Sequence, residues 1–272
     1  MPELAELMPM VALLVVIGGF AGVIAGLLGV GGGIVLVPAF FYAFAHLGYA
    51  GPQLMQVCVA TSLATIVVTS VRSVLSHNKK GAVDWAMLRA WAPFIVTGAV
   101  LGVLVAMQVK SLTLQVVFGV LALIAGAYLV FGRETWRLGT QMPEQPVRGI
   151  YAVLIGFFSA MMGIGGGTFG VPLMSLYSTP IHRAVATAAG FGILIAVPSV
   201  VVFLLSPVVG APPYSLGAVN FPAFLLVIAM TWITAPWGVK LAHAMDPKPL
   251  KRAFAFFIML VALNMLRKVY FG

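Results

Sequence analysis

Two short runs of glycine interrupt otherwise apolar stretches of this chain. The first glycine run, residues 29–33, has four glycines in five residues, and the second glycine run, residues 163–167, repeats the pattern. A proline follows each run at the same distance, as Pro38 and Pro172. Glycine packs little surface and weakens a helix, so each run predicts a helix break. Inside a membrane, a break is tolerated only where protein or a polar cavity satisfies the freed backbone groups.

The composition predicts that these runs lie in a membrane. Of the 272 residues, 62% are hydrophobic and 8% are charged, whereas a soluble domain has about 25% charged residues. We therefore predict an all-α polytopic membrane protein. The net charge of +9 comes mainly from Lys and Arg between apolar segments, which is typical of cytoplasmic loops. No basic stripe interleaved with aromatic residues is present, so the expected partner is the lipid bilayer and not nucleic acid.

Apolar segments of membrane-spanning length, roughly 20 residues each, recur along the chain. The predicted segments are 10–28 with 34–45, 54–75, 88–107, 112–131, 149–162 with 168–177, 183–205, 221–239 and 250–266. We predict a first transmembrane repeat over residues 1–131, a cytoplasmic linker over 132–148 and a second transmembrane repeat over 149–272. With each broken segment crossing or re-entering, the total is about eight to ten membrane segments.

The two repeats share a register. The matches are Gly22, Gly29, Gly33 and Pro38 with Gly156, Gly163, Gly167 and Pro172, then Ala60-Thr61 with Ala186-Thr187, and Gly81-Ala82-Val83-Asp84 with Gly217-Ala218-Val219-Asn220. The shared order indicates an internal duplication. Inverted repeats with discontinuous or re-entrant helices place more of the 15 basic residues on the linker side than parallel repeats do. The positive-inside rule therefore favours the inverted arrangement.

Inverted repeats with broken helices are a recurring design of secondary transporters. A break exposes backbone N–H groups at the start of the next half-helix, and these donors with the helix dipole favour an anion. The candidate substrate-binding residues are those of the two breaks: Gly31, Gly32, Gly33, Ile34, Gly165, Gly166, Gly167 and Thr168. The alternative is that the glycines serve only close helix packing.

Hydroxyl side chains form a second candidate group. Thr61, Ser62 and Thr187 lie in the helix that follows each broken segment, and their hydroxyls could donate to an oxyanion. Gln56 and Thr65 are weaker members of this group. The alternative is a hydroxyl that donates back to the preceding helical turn.

The charged and metal-binding residues of the sequence give little indication of a catalytic or metal site. Arg183 is a further candidate binding residue, although a cation near a segment end can also reach the membrane interface. Asp84 follows a basic loop and is predicted to cap a helix. The four His and one Cys have no zinc-site spacing. No nucleophile–base arrangement or nucleotide-binding loop is present, so we expect no metal, no cofactor and no enzymatic activity.

At the glycine runs the sequence resembles the TauE/SafE family of sulfite and organosulfonate exporters. The matching stretches are Gly26 to Gly33 with Pro38, Gly163 to Gly167 with Pro172, Val59 to Leu63, Ala184 to Thr187, and His77 to Asp84. The resemblance covers essentially the whole chain. One departure is Ala188, where the second repeat lacks the counterpart of Ser62, so the hydroxyl donors are expected mainly in the first repeat. The resemblance implies export of sulfite or small sulfonates across the bacterial cytoplasmic membrane.

The residues alone predict a transporter of small anions. With the resemblance, the leading hypothesis is secondary active export of sulfite or an organosulfonate by alternating access. The anion would lie between the two glycine-broken helices, and a proton or ion gradient is a candidate energy source. The alternatives are a transporter of another small organic anion, such as a carboxylate or an aromatic sulfonate, working in uptake, and a membrane assembly factor that transports nothing.

Overall fold

The computed structural model describes residues 4–28, 32–132, 136–244 and 247–271. Within these ranges the chain forms ten α-helices and one short antiparallel hairpin. The helices are α1 (Leu4–Leu28), α2 (Gly33–His46), α3 (Leu54–Asn78), α4 (Trp85–Gln108), α5 (Ser111–Phe131), α6 (Val147–Met162), α7 (Gly167–Leu176), α8 (Ile181–Leu205), α9 (Phe221–Ala244) and α10 (Pro247–Phe271). The strands are β1 (Ser215–Leu216) and β2 (Val219–Asn220). The candidate Gly31 lies outside the described residues.

The helices have the lengths and composition that a bilayer requires. Six of those in the described ranges are long and apolar enough to cross a membrane: α3, α4, α5, α8, α9 and α10. Shorter apolar helical segments lie in α1, α2, α6 and α7. A helix satisfies its own backbone groups, which is why apolar segments of this length fold as helices in lipid. The prediction of a polytopic helical membrane protein is confirmed.

Small residues bring helices from the two halves of the chain close together. A Cβ atom added at Gly98 or Gly102 of α4 would overlap a backbone carbonyl of α6. A Cβ at Gly22 of α1 would lie 2.8 Å from the Cα of Thr231 in α9. Glycine is required at such positions because backbones approach closely there. For Gly22, close packing is therefore what the structure shows.

Helices α3 and α8 pack against each other at the centre of the molecule, and α3 is the most buried of the six spans. Just before α3, Gln53 Oε1 accepts a hydrogen bond of 3.0 Å from the amide of Val209, which follows α8. Beyond the other end of α3, Asp84 Oδ2 lies 3.2 Å from Nη2 of Arg183, which is in the first turn of α8. The two helices therefore run antiparallel, with the start of each beside the end of the other.

Candidate functional site between the glycine runs

The described parts of the two glycine runs meet in the interior. Gly33 is the first residue of α2, and a Cβ added there would lie 2.7 Å from the carbonyl oxygen of Gly163 and 3.0 Å from the Cα of Ile164. A Cβ at Gly163 would in turn lie 2.9 Å from the Cα of Val59 in α3. Backbone therefore touches backbone, and no side chain fits between the runs at these two positions.

Each run also contains one residue in the left-handed backbone region. Gly32 caps α2 with φ 68°, and its carbonyl accepts from the amide of Leu36 at 3.1 Å. Gly163 has the same φ of 68° and ends α6. The next amide, of Ile164, donates to the carbonyl of Ser159 at 3.0 Å. Side chains with a Cβ rarely adopt this conformation, so both positions require glycine for backbone reasons.

Polar groups without a partner flank the second glycine run. The first helical hydrogen bond of α7 runs from the amide of Gly170 to the carbonyl of Gly166 at 2.7 Å. The amides that precede Gly170 in the first turn, such as that of Thr168, have no acceptor within the helix. The buried hydroxyls of Ser159 and Thr168 have no hydrogen-bond partner among the described residues. Buried polar groups are nearly always paired, so these donors favour a ligand or water beside the run.

Gly165 differs from its neighbours because no contact with the described residues requires a glycine there. Among those residues, a Cβ would meet the Cγ2 of Ile66 at 3.6 Å and the Cα of Gly192 at 3.9 Å, which are ordinary contacts. Its φ lies outside the left-handed region. At Gly166, by contrast, a Cβ would overlap Phe191. A single methyl group would therefore fit at Gly165 against the described residues.

The Ser62 hydroxyl links α3 to the second glycine run. Its Oγ donates to the carbonyl oxygen of Gly163 at 2.7 Å, and both groups are buried. The Thr65 hydroxyl donates to the carbonyl of Ser62, in the preceding turn of the same helix, at 2.7 Å. For Thr65, the alternative of a hydrogen bond within its own helix is therefore what the structure shows. In this conformation the Ser62 hydroxyl donates its proton to the protein backbone, and this hydrogen bond holds the second glycine run against α3.

Thr61 and Thr187 each join one repeat to the other. The amide of Asn220 donates to Thr61 Oγ1 at 3.0 Å, and the amide of Asp84 donates to Thr187 Oγ1 at 3.1 Å. We call these two hydrogen bonds the cross-repeat clasps. Both threonine oxygens act as acceptors here, so their role as donors to a substrate stays a prediction. Because α3 and α8 are antiparallel, the two clasps lie towards opposite ends of this helix pair.

The residues that supply the clasp amides also cap helices. Asp84 Oδ1 accepts from the amide of Met87 at 2.9 Å at the start of α4, which confirms the predicted cap. Asn220 Oδ1 accepts from the amide of Ala223 at 3.0 Å at the start of α9. Arg183, whose side chain is 55% exposed, pairs with Asp84 at the start of α8, apart from the glycine runs. Sequence reasoning did not single out Asn220, although its match to Asp84 was the available signal.

Gln56 has a structural contact at some distance from the glycine runs. Its Nε2 donates to the carbonyl of Val109 at 2.7 Å and to that of Ala106 at 3.3 Å, so it fixes the end of α4 against α3. Its Oε1 is buried and has no partner among the described residues. Gln56 is therefore not brought together with the other candidates.

Two residues of α3 beside the runs were missed by sequence reasoning. Ile66 is fully buried, and its Cδ1 would lie 2.9 Å from a Cβ at Gly33. Ser70 is buried as well, and its Oγ lies where a Cβ at Gly192 would point. The available signal was the spacing of 126 residues between Thr61 and Thr187, which also relates Ile66 to Gly192.

A groove of about 680 Å³ lies between α1, α2 and α10. It follows the second half of α2, where Ala39, Tyr42 and His46 line it. At its rim the ammonium of Lys268 lies 4.9 Å from the centre of the Tyr42 ring. Because α2 begins at Gly33, the groove lies on the same helix that reaches the second glycine run.

The comparisons with known proteins agree with this architecture. The family model for the sulfite exporter TauE/SafE matches residues 14–265. A probable membrane transporter protein of Haemophilus influenzae is 30% identical, over 95% of this chain and 98% of its own. Probable membrane transporter proteins of Methanocaldococcus jannaschii (96% of this chain, 97% of its own) and Bacillus subtilis (96% and 98%) are each 25% identical. No solved structure matches significantly. A helical membrane fold, the paired glycine runs and these matches lead to one conclusion: the chain belongs to the sulfite exporter TauE/SafE family of membrane transporters.

Proposed function

We propose that this transporter is a secondary active exporter of a small sulfur oxyanion, sulfite or an organosulfonate, and that the anion binds between the two glycine-broken segments, beside the place where the glycine runs touch. The observation that carries the proposal is the meeting of Gly33 with Gly163 and Ile164 in the buried interior. Two runs that are 134 residues apart in the sequence supply one site, which is the arrangement that a carrier with a central binding site needs.

The donors around the second glycine run suit an anion. The start of α7 offers backbone amides and the positive end of its helix dipole. The unpartnered hydroxyls of Thr168 and Ser159 flank the same run. Among the described residues, every buried polar side chain is uncharged, so recognition would rest on neutral donors. Neutral donors hold an anion without trapping it by a full opposite charge, and a carrier must also release its substrate.

Several contacts support an inverted relation between residues 1–131 and 149–272, with 132–148 as a cytoplasmic linker. The equivalent helices α3 and α8 are antiparallel. The equivalent residues Ile66 and Gly192 lie side by side, with Ile66 Cγ2 3.6 Å from the position of a Cβ added at Gly192, and the equivalents Thr61 and Thr187 make equivalent clasps. Reciprocal contacts between equivalent residues are the signature of a twofold axis. In this proposal α1–α2 and α6–α7 are the two glycine-broken segments.

The clasps suit alternating access. One lies towards each end of the α3–α8 pair, and each joins a threonine of one repeat to a backbone amide of the other. Opening one clasp while the other stays closed would expose the centre to one side of the membrane only.

Coupling to a gradient would not need a buried acid of the protein. Among the side chains whose burial the structure describes, none of the charged ones is buried. The substrate itself can carry the proton, because sulfite is a weak base that exchanges with hydrogen sulfite near neutral pH. We place this activity in the bacterial cytoplasmic membrane.

Flux measurements in proteoliposomes test the proposal. Vesicles loaded with sulfite, sulfate or malonate are diluted into anion-free buffer, and release is compared with that of protein-free vesicles. We expect protein-dependent release of sulfite and little release of sulfate. Release of malonate alone would assign the protein to carboxylates. No protein-dependent release of any anion, from protein that unfolds cooperatively on heating, would contradict transport and favour the assembly factor.

A further inference from the structure

The groove between α1, α2 and α10 is apolar along most of its length and polar at one end. Its apolar lining consists of Leu13, Ile17, Ala39, Ala43 and Ala45. Its polar lining consists of Tyr42, His46 and Lys268. A ligand that fills this groove therefore needs an apolar part and a separate polar part.

The polar end of the groove lies where two helices end. His46 is the last residue of α2, and Lys268 lies three residues before the end of α10 at Phe271. Ala39 precedes His46 by seven residues, which places it about 10 Å deeper along α2. Near Lys268, the side chain of Tyr270 is 73% exposed, and tyrosine is enriched at membrane interfaces. The groove thus has its polar end at the interface and its apolar end within the bilayer.

The polar end offers positive charge and a hydrogen-bond donor. The ammonium of Lys268 lies 4.9 Å from the centre of the Tyr42 ring, and no carboxylate among the side chains that the structure describes pairs with it. The Tyr42 oxygen accepts a hydrogen bond of 2.8 Å from Nδ2 of Asn264, and its own proton meets no acceptor among the described groups. The positive charge of Arg267 acts on the same hydroxyl. A phosphate would accept from these donors and offset both charges.

We infer that the groove binds an anionic phospholipid, with one acyl chain along α2 and the phosphate beside Lys268 and Arg267. An acyl chain makes van der Waals contacts with the apolar lining that a small oxyanion cannot make. Basic pockets between transmembrane helices bind anionic head groups in this way. Since α1 and α2 come from the first half of the chain and α10 from the second, the lipid would stabilise the association of the two halves. This lipid site is independent of the transported anion.

Thermal unfolding of the purified protein in a neutral detergent tests this site, with phosphatidylglycerol as the lipid. We expect excess phosphatidylglycerol to raise the Tm by at least about 3 °C, since a ligand stabilises the state that binds it. Phosphatidylcholine has no net charge and glycerol phosphate has no acyl chain, so each should raise the Tm by less than about 1 °C. A shift as large with phosphatidylcholine would show that charge plays no part. A shift as large with glycerol phosphate would show a site for free phosphate, and either result would overturn the proposal.

Two variants assign the effect to the groove. Lys268→Gln removes the charge at the polar end and Ala39→Leu fills the apolar end, so each should reduce the phosphatidylglycerol shift to less than about half. Lys110→Gln is the matched control, because Lys110 is also exposed but precedes α5, outside the groove lining. It should keep the full shift. Since Lys268 is exposed, its variant should fold even if Ala39→Leu does not. A full shift in Lys268→Gln, or an equal loss in Lys110→Gln, would overturn the site.

Discussion

Helices α3 and α8 match in the sequence register of the two halves of the chain, in which Thr61 corresponds to Thr187, yet only part of their chemistry is shared. Both have a threonine whose oxygen accepts a backbone hydrogen bond from the other repeat, Thr61 and Thr187. They differ where the glycine runs meet, because α3 has Ser62 and Ile66 where α8 has Ala188 and Gly192. The shared threonines join the two halves of the chain, and the residues that differ lie beside the glycine runs.

The glycines of the two runs can be compared in the same way. Gly33 and Gly163 are required by backbone contacts, and Gly163 also by its left-handed conformation. Gly165 is required by neither. Glycines that the packing requires thus lie within a few residues of Gly165, the proposed ligand-binding glycine, and substitution can separate the two kinds.

The largest expected effect is that of Gly33→Ala. The new methyl would lie 2.7 Å from the Gly163 oxygen and 3.0 Å from the Ile164 Cα, and backbone on that side cannot move aside cheaply. We expect the free energy of unfolding to fall by about 3 kcal/mol, in the upper part of the usual range for adding atoms to a well-packed interior. Thermal unfolding in detergent should show a Tm lower by about 10 °C. Gly165→Ala is the control and should unfold within about 2 °C of the wild type. Equal Tm values for the two variants would contradict the distinction between Gly33, which the packing requires, and Gly165, which it does not.

Ser62→Ala should be next in size. It makes α3 resemble α8 at this position and removes the donor to the buried Gly163 carbonyl. A buried acceptor left without its partner costs about 1–3 kcal/mol. Thr69→Val is the control, since Thr69 donates only to carbonyls of its own helix, at 3.1 Å and 3.4 Å. A Ser62→Ala protein no less stable than Thr69→Val would show that the bond does not hold the run.

The clasps should contribute equally. Thr61→Val and Thr187→Val each keep the shape of the side chain and remove the acceptor of one backbone amide. We expect each to lower the free energy of unfolding by about 1–2 kcal/mol. The measurement is the midpoint of thermal unfolding for each variant. If the two losses of unfolding free energy differ by more than a factor of about three, beyond the usual spread of such values, the two clasps do not contribute equally to stability.

Asp84→Asn should have the smallest effect. It makes this clasp resemble the one at Asn220, and Asp and Asn are about equally good helix caps. The exposed pair with Arg183 is lost, and such pairs contribute about 0–1 kcal/mol and weaken with salt. We expect a slightly lower Tm at low salt that converges with the wild type at about 1 M salt, where charges are screened within about 3 Å. A large loss that persists at high salt would show that the carboxylate does more than pair with Arg183.

Hydropathy predicted the helices closely. The segment predicted over 54–75 is α3, Leu54–Asn78, and that over 168–177 is α7, Gly167–Leu176. The largest difference is at α10, predicted over 250–266 and observed over Pro247–Phe271. A hydropathy limit stops at charged residues, such as Lys268, whereas a helix continues into the membrane interface where those side chains reach water.

The partners of the polar side chains could not be predicted in the same way. A hydroxyl in an apolar helix can donate along its own helix or across to another, and sequence does not distinguish these. Thr65 does the first and Ser62 the second. Ile66 has no polar atom to attract attention, and only its register with Gly192 reveals its position. The site therefore follows from the packing of the two repeats and not from either repeat alone.

Calorimetric titration of sulfite into the purified protein tests the central claim most directly. The wild type should bind sulfite at one saturable site. Gly165→Ala, which adds a single methyl in ordinary contact with Ile66 and Gly192, should keep its thermal stability and bind sulfite at least about tenfold more weakly, a difference of about 1.4 kcal/mol. A Gly165→Ala protein that binds sulfite as tightly as the wild type would show that the anion does not lie between the glycine runs.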